Sequence, residues 1–230
     1  MASRASILWS SIGRKILMSL SGMLMLGFLI AHLAGNLQLL TGDADLFNKY
    51  AYILISLGGL VILAELILLA CLLLHVWAAL SILLGRWAAR PERYRKVRSA
   101  GGPSRKTWGA STMIYTGFVV LVFIVLHVAG FKFGPGVEAG YVTTVDGVEM
   151  RDLHRLVVEV FSNKWYVVWY VAAMVVLGLH LSHAFWSAFQ SLGIYHDRYT
   201  PILYAGGRAL AFLIAAGYAI IPIWIFIYGR

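Results

Sequence analysis

Residues 51–84 read AYILISLGGLVILAELILLACLLLHVWAALSILL, an apolar run broken by one acid, Glu65, and one imidazole, His75. About 20 apolar residues carry a helix across the hydrocarbon core of a bilayer, so this stretch is expected to be a transmembrane helix. Four more runs meet the same test, over 16–40, 109–133, 165–190 and 204–228. With 60% of residues hydrophobic and 13% charged, the composition lies far from that of a soluble domain. The expected fold is an all-α integral membrane protein, one domain over 1–230 with five transmembrane helices. The first run is too long for the apolar region of a signal peptide and reads as a retained helix. The single cysteine, Cys71, lies inside the second run, so neither a disulfide nor a thioether-attached haem is expected.

Cytoplasmic loops of membrane proteins are enriched in Lys and Arg. Arg4, Arg14 and Lys15, eight residues from Arg86 to Lys106, and Arg198 with Arg208 place 13 of the 19 basic residues on one face. The expected topology therefore has the N-terminus cytoplasmic and the C-terminus outside. This rule accounts for the basic face without nucleic acid, and some of the charge is free to dock a soluble partner.

Four of the five runs each carry a histidine at depth: His32, His75, His127 and His180. Ionisable side chains in the hydrocarbon region are costly and are generally functional. At ~1.5 Å rise per residue, His32 and His127 both lie ~10 Å inward of their outer ends, and His75 and His180 both lie ~15 Å from their inner ends. Topology alone thus pairs His32 with His127 and His75 with His180. A repeat supports the first pair: Ser21-Gly22, five residues, then FLIAHLAG; Thr116-Gly117, five residues, then FIVLHVAG. Glycines on such faces let a helix or a flat macrocycle approach closely.

Neutral imidazole is a ligand of haem iron, and a haem with both axial positions filled is suited to electron transfer. A closed zinc site would need further Cys, Asp or Glu ligands. The alternatives at this stage are histidines that relay protons in a haem-free transporter or scaffold, and another respiratory cytochrome b. His183 lies one turn beyond His180 and competes with it as the inner ligand. His154 and His196 fall in polar loops and read as surface residues.

The stretches SGMLMLGFLIAHLAGNL, FNKYAYIL, AELILLACLLLHVW, FIVLHVAGFKFG and GLHLSHAFWSAFQSLG together resemble the dihaem cytochrome b membrane-anchor subunits of succinate:quinone oxidoreductases, which include succinate dehydrogenases and fumarate reductases. The resemblance covers nearly the whole chain. It implies two haem b groups in a bundle of the first four helices, one held by His75 and His180 on the cytoplasmic side and one by His32 and His127 outside. It implies a flavoprotein subunit, an iron–sulfur subunit passing electrons to this anchor, and quinone, expected to be menaquinone, as the substrate. The implied location is the plasma (inner) membrane of a prokaryote, in contact with lipid, with a higher oligomer of the complex open. Ile7–Leu17 and Arg86–Lys106 are the expected docking surface for the partners, or else interfacial anchors.

A quinone site needs polar groups near a haem edge. Glu65 is the one acid deep in a run, with a quinone or proton role on one side and a structural hydrogen bond on the other. Arg14, Lys15, Ser19, Ser21 and His183 are candidates for haem propionate or quinone contacts. Some fumarate-reducing members carry an acid two residues before the fourth-helix ligand; here that position is Gly178, which favours succinate oxidation.

Overall fold

A computed structural model describes residues 10–89 and 108–229. The expected docking surface therefore lies outside the described residues except for 10–17 and 86–89, and Arg4 lies outside them as well. The described residues are 83% helical, and among them five helices are long and apolar enough to cross a membrane. In order these are α1 (Ser11–Asn36), α3 (Gly59–Ala88), α4 (Trp108–His127), α6 (Lys164–Ser191) and α7 (Thr200–Tyr228); α2 (Ala44–Ser56) and α5 (Leu153–Phe161) are short. A two-stranded antiparallel hairpin, β1 (Val142–Val145) and β2 (Val148–Arg151), precedes α5.

Local chemistry sets the boundaries. Ser10 caps α1 by accepting from Gly13 N at 3.1 Å, Asp43 caps α2 through Leu46 N at 3.0 Å, and Asn163 caps α6 through Trp165 N at 2.9 Å. The hairpin turns at Asp146-Gly147, both at positive φ (50° and 76°), as a tight two-residue turn between right-twisted strands requires. The expected second span differs here. Residues 51–56 belong to α2, and the chain breaks at Leu57-Gly58, with Gly58 at φ 55°, before α3 begins. Hydropathy continues across the break, so an apolar run cannot reveal it.

The helices line up as α3, α1, α6, α4: α1 packs on α3 and α6, and α6 on α4, while α7 lies along α6 and α1. No extensive interface joins α3 to α4 among the described residues. An apolar groove of about 390 Å³ runs between their ends, lined by Leu83, Trp87, Ile114, Tyr115, Phe118 and Val119. Small residues bring α7 in close: a Cβ on Gly178 would sit 2.9 Å from Ala215 Cβ, and one on Gly217 would sit 2.9 Å from Leu33 Cδ2. Without a hydrophobic drive between helices in lipid, this close contact is what holds them. Large apolar side chains cover the outside, Phe212 being 71% exposed, the solvation that a bilayer supplies.

The short elements cap one end of the bundle. Leu39, Phe47, Val157, Phe161, Ile221 and Ile225 form their core. Asn48, 1% exposed, donates from Nδ2 to Asp152 Oδ1 at 2.9 Å and accepts from His154 N at 2.8 Å. On the surface of the cap, Tyr141 and Arg155 both donate to Glu159 and hold its carboxyl below the usual carboxylate range. That contact is complete above the ordinary glutamate range and is lost as pH falls through the lowered value.

Candidate cofactor site

The diagonals of the bundle carry the histidines. α1 faces α4 across the axis and α3 faces α6, and each diagonal brings two imidazoles together. His75 and His180 have ring centres 6.4 Å apart with planes inclined by 63°; His32 and His127 are 5.9 Å apart at 77°. The pair nearer the start of α1, His75 with His180, is the inner one, and the pair nearer the cap, His32 with His127, is the outer.

Each inner ring is braced at Nδ1 by the first helix of its own repeat. His75 Nδ1 lies 3.0 Å from Met18 O and 3.4 Å from Ser21 Oγ. A carbonyl only accepts, so Nδ1 carries the proton and Nε2 keeps its lone pair. His180 Nδ1 lies 3.2 Å from Thr116 Oγ1. Both hydroxyls donate to their own helix backbone, Ser21 to Leu17 O at 2.7 Å and Thr116 to Met113 O at 3.1 Å, which leaves their lone pairs to accept from the imidazoles. The next residue in each repeat is the glycine. A Cβ on Gly22 would lie 3.1 Å from His75 Cε1, and one on Gly117 would lie 3.4 Å from His180 Cε1. Inside the bundle the repeated glycines thus make room for imidazole rings rather than for another helix.

The outer pair is less symmetric. His127 Nδ1 lies 3.3 Å from Tyr170 Oη, inside an aromatic group with Phe123, Phe131 and Phe161. Asn36 Nδ2 lies 3.2 Å from His32 Nδ1 while donating to His32 O at 2.7 Å, and Phe28 stacks on the ring at 5.2 Å. Directly after His127 the helix widens into a π turn, Val128–Lys132, a distortion common at functional sites. Arg151 of the hairpin donates to Phe131 O at 2.9 Å, a carbonyl in the last turn of the helix, and to Pro135 O at 3.0 Å in the loop that follows.

The donor set fits haem iron. An imidazole nitrogen sits ~2 Å from a bound metal and about 1.1 Å from its ring centre, so two imidazoles on opposite sides of one metal have centres about 6 Å apart. Both pairs match. Among the described residues no three His, Cys, Asp or Glu side chains converge as a metal site. Nδ1 partners orient a ligating imidazole and raise its basicity. A simple comparison tests this geometry. Gly22→Ala is expected to weaken the inner site more than Gly117→Ala, because its contact is shorter by 0.3 Å. The check is the haem retained by each variant through purification.

The other candidates are placed as follows. The His183 ring lies perpendicular to that of Trp186, with centres 6.0 Å apart, and it is His180 that lies beside His75. Arg14 donates to Ser81 O at 3.3 Å, tying the start of α1 to the end of α3. Lys15 is exposed and Ser19 is buried. Glu65 pairs with Lys132 of the π turn, a bridge between α3 and α4 at the outer level. It occupies the position in α3 that Tyr170 holds in α6, each ten residues before the inner histidine. Gly178 faces α7, where contact with Ala215 leaves no space for a carboxylate. Thr116, Tyr170 and Asn36 were not legible as ligand supports. Only for Thr116 did the sequence carry a signal, its alignment with Ser21 in the repeat. No family model, curated protein or solved structure matches this chain.

Proposed function

We propose that the chain is the membrane anchor and electron-transfer subunit of a succinate:quinone oxidoreductase. In this role it carries electrons from an iron–sulfur partner through two haem b groups to quinone, expected to be menaquinone. The observation that supports this most is the crossing of the bundle by two imidazole pairs at metal-bridging separation, 6.4 and 5.9 Å between ring centres. When bound, a haem with two imidazole ligands supplies one-electron transfer with no open position for oxygen.

The chain's own residues divide the remaining work. His75 and His180 hold the inner group, and His32 and His127 the outer. Met18, Ser21, Thr116 and Tyr170 fix the ring orientations, and the apolar helix faces exclude water from the sites. The N-terminus is cytoplasmic and the C-terminus outside, in a prokaryotic plasma membrane, so the inner pair lies toward the flavoprotein and iron–sulfur subunits and the outer pair toward the far face. Haems at opposite depths allow turnover to couple to the membrane potential. Succinate oxidation is favoured over fumarate reduction by Gly178, whose close contact with α7 denies that position a proton-carrying acid.

The test is affinity purification of the tagged chain from its native membrane. The expected result is co-purification of a flavin-containing and an iron–sulfur subunit, with haem absorption reduced on addition of succinate. Haem that dithionite reduces but succinate does not, with no such partners, would assign the chain to another respiratory cytochrome b.

A further inference from the structure

Both inner histidines are braced by a hydroxyl from the same place in the repeat, and the two braces differ. His75 Nδ1 has a backbone carbonyl, Met18 O at 3.0 Å, in addition to Ser21 Oγ at 3.4 Å. His180 Nδ1 has Thr116 Oγ1 at 3.2 Å, with no second acceptor at that nitrogen among the described residues. Ser21 is 4% exposed and Thr116 is 8% exposed, so water is poorly placed to replace either hydroxyl. Each hydroxyl proton is directed to a backbone carbonyl of its own helix, which fixes the oxygen as an acceptor toward the ring.

From this geometry we infer that Thr116 and Ser21 are positioning residues that set the tautomer and electron donation of the inner ligand pair, with Thr116 carrying the larger share. The inference rests on the haem assignment above. An acceptor at Nδ1–H gives the imidazole more anionic character and makes it a stronger donor to iron through Nε2. A stronger donor favours ferric over ferrous iron, so hydrogen bonding around the ligand is one of the ways a protein sets haem potential. Loss of Thr116 Oγ1 leaves His180 Nδ1–H without its acceptor and raises the potential. Loss of Ser21 Oγ leaves Met18 O in place and changes it less. The duplication thus supplies each repeat with its own holder, while iron would join one repeat to the other.

Redox titration of the purified complex, following both haems by absorbance and by the low-spin ferric EPR signals, tests this with T116V, T116S and S21A. T116V is expected to change the ferric-to-ferrous ratio of the inner haem about tenfold at fixed potential, a rise of ~59 mV for one electron. T116S restores the wild-type value, S21A shifts it by less than about threefold, and the outer haem does not move. Loss of the inner haem alone in T116V, with T116S retaining it, is the same result in stronger form. T116A replaces T116V as the hydroxyl-free variant if valine disturbs the helix. An unchanged inner potential and EPR signal in the hydroxyl-free variant, or a shift in S21A as large as in T116V, overturns the inference and leaves the haem assignment standing. Absence of haem from the wild-type complex overturns both.

Discussion

Replacing His180 with alanine is expected to remove one of the two proposed haems, the inner one. The same result is expected for His75→Ala, because either substitution leaves a single imidazole where two now stand 6.4 Å apart. His32→Ala and His127→Ala are expected to remove the outer haem instead. His183→Ala is expected to keep both, since it is His180 whose ring lies beside that of His75, while the His183 ring packs against Trp186. Spectra of the five variants check this directly. The two histidine pairs differ in surroundings, one braced by hydroxyls and a carbonyl and the other by Tyr170 and Asn36, so the proposed haems are expected to give separable EPR signals. If His183→Ala lost the inner haem and His180→Ala kept it, the assignment of the inner ligand would have to move by one turn.

Asn48→Leu is expected to have the largest effect on stability of any substitution outside the helices that hold the histidines. Asn48 is fully buried and uses both ends of its amide, joining α2 to the first turn of α5 through Asp152 and the N–H of His154. Leucine fills similar volume but leaves the N–H of His154 without its acceptor and removes one of the two hydrogen bonds to Asp152 Oδ1, which keeps Arg155 N, at a cost of about 1–3 kcal/mol. The consequence reaches the outer site, because Phe161 at the end of α5 packs edge-on against Tyr170 at 4.9 Å, and Tyr170 touches His127. In thermal unfolding in detergent, the variant should lose its outer haem at a temperature several degrees below that of wild type, and before its inner haem. Coincident loss of both haems at the wild-type temperature would show that the cap does not support the outer site.

The helices and the depth of their histidines were legible because both depend on local quantities, apolar length and residue rise. Two helices running in the same direction place residues at matched distances from their ends at matched depth, and the contacts of His32 with His127 and of His75 with His180 agree with that count. The break at Gly58 was hidden because the residues on either side are equally apolar. Hydropathy also hides the hairpin, although Asp146-Gly147 between alternating residues is a turn signal. By sequence Ser21 is only a polar group near the inner level. Its role beside His75 depends on which face of α1 turns toward α3, and Thr116 is explained only through the same relation. Tyr170 and Glu65 hold equivalent positions with unlike side chains, so no repeat could have revealed that one reaches His127 while the other pairs with Lys132.

The most direct measurement is a pyridine haemochrome assay on the purified complex, with the chain quantified by amino-acid analysis. The expected result is two haem b per chain, falling to one in His180→Ala. A wild-type complex with no haem would contradict the haem assignment and return the four histidines to proton relay or helix packing in a haem-free membrane protein.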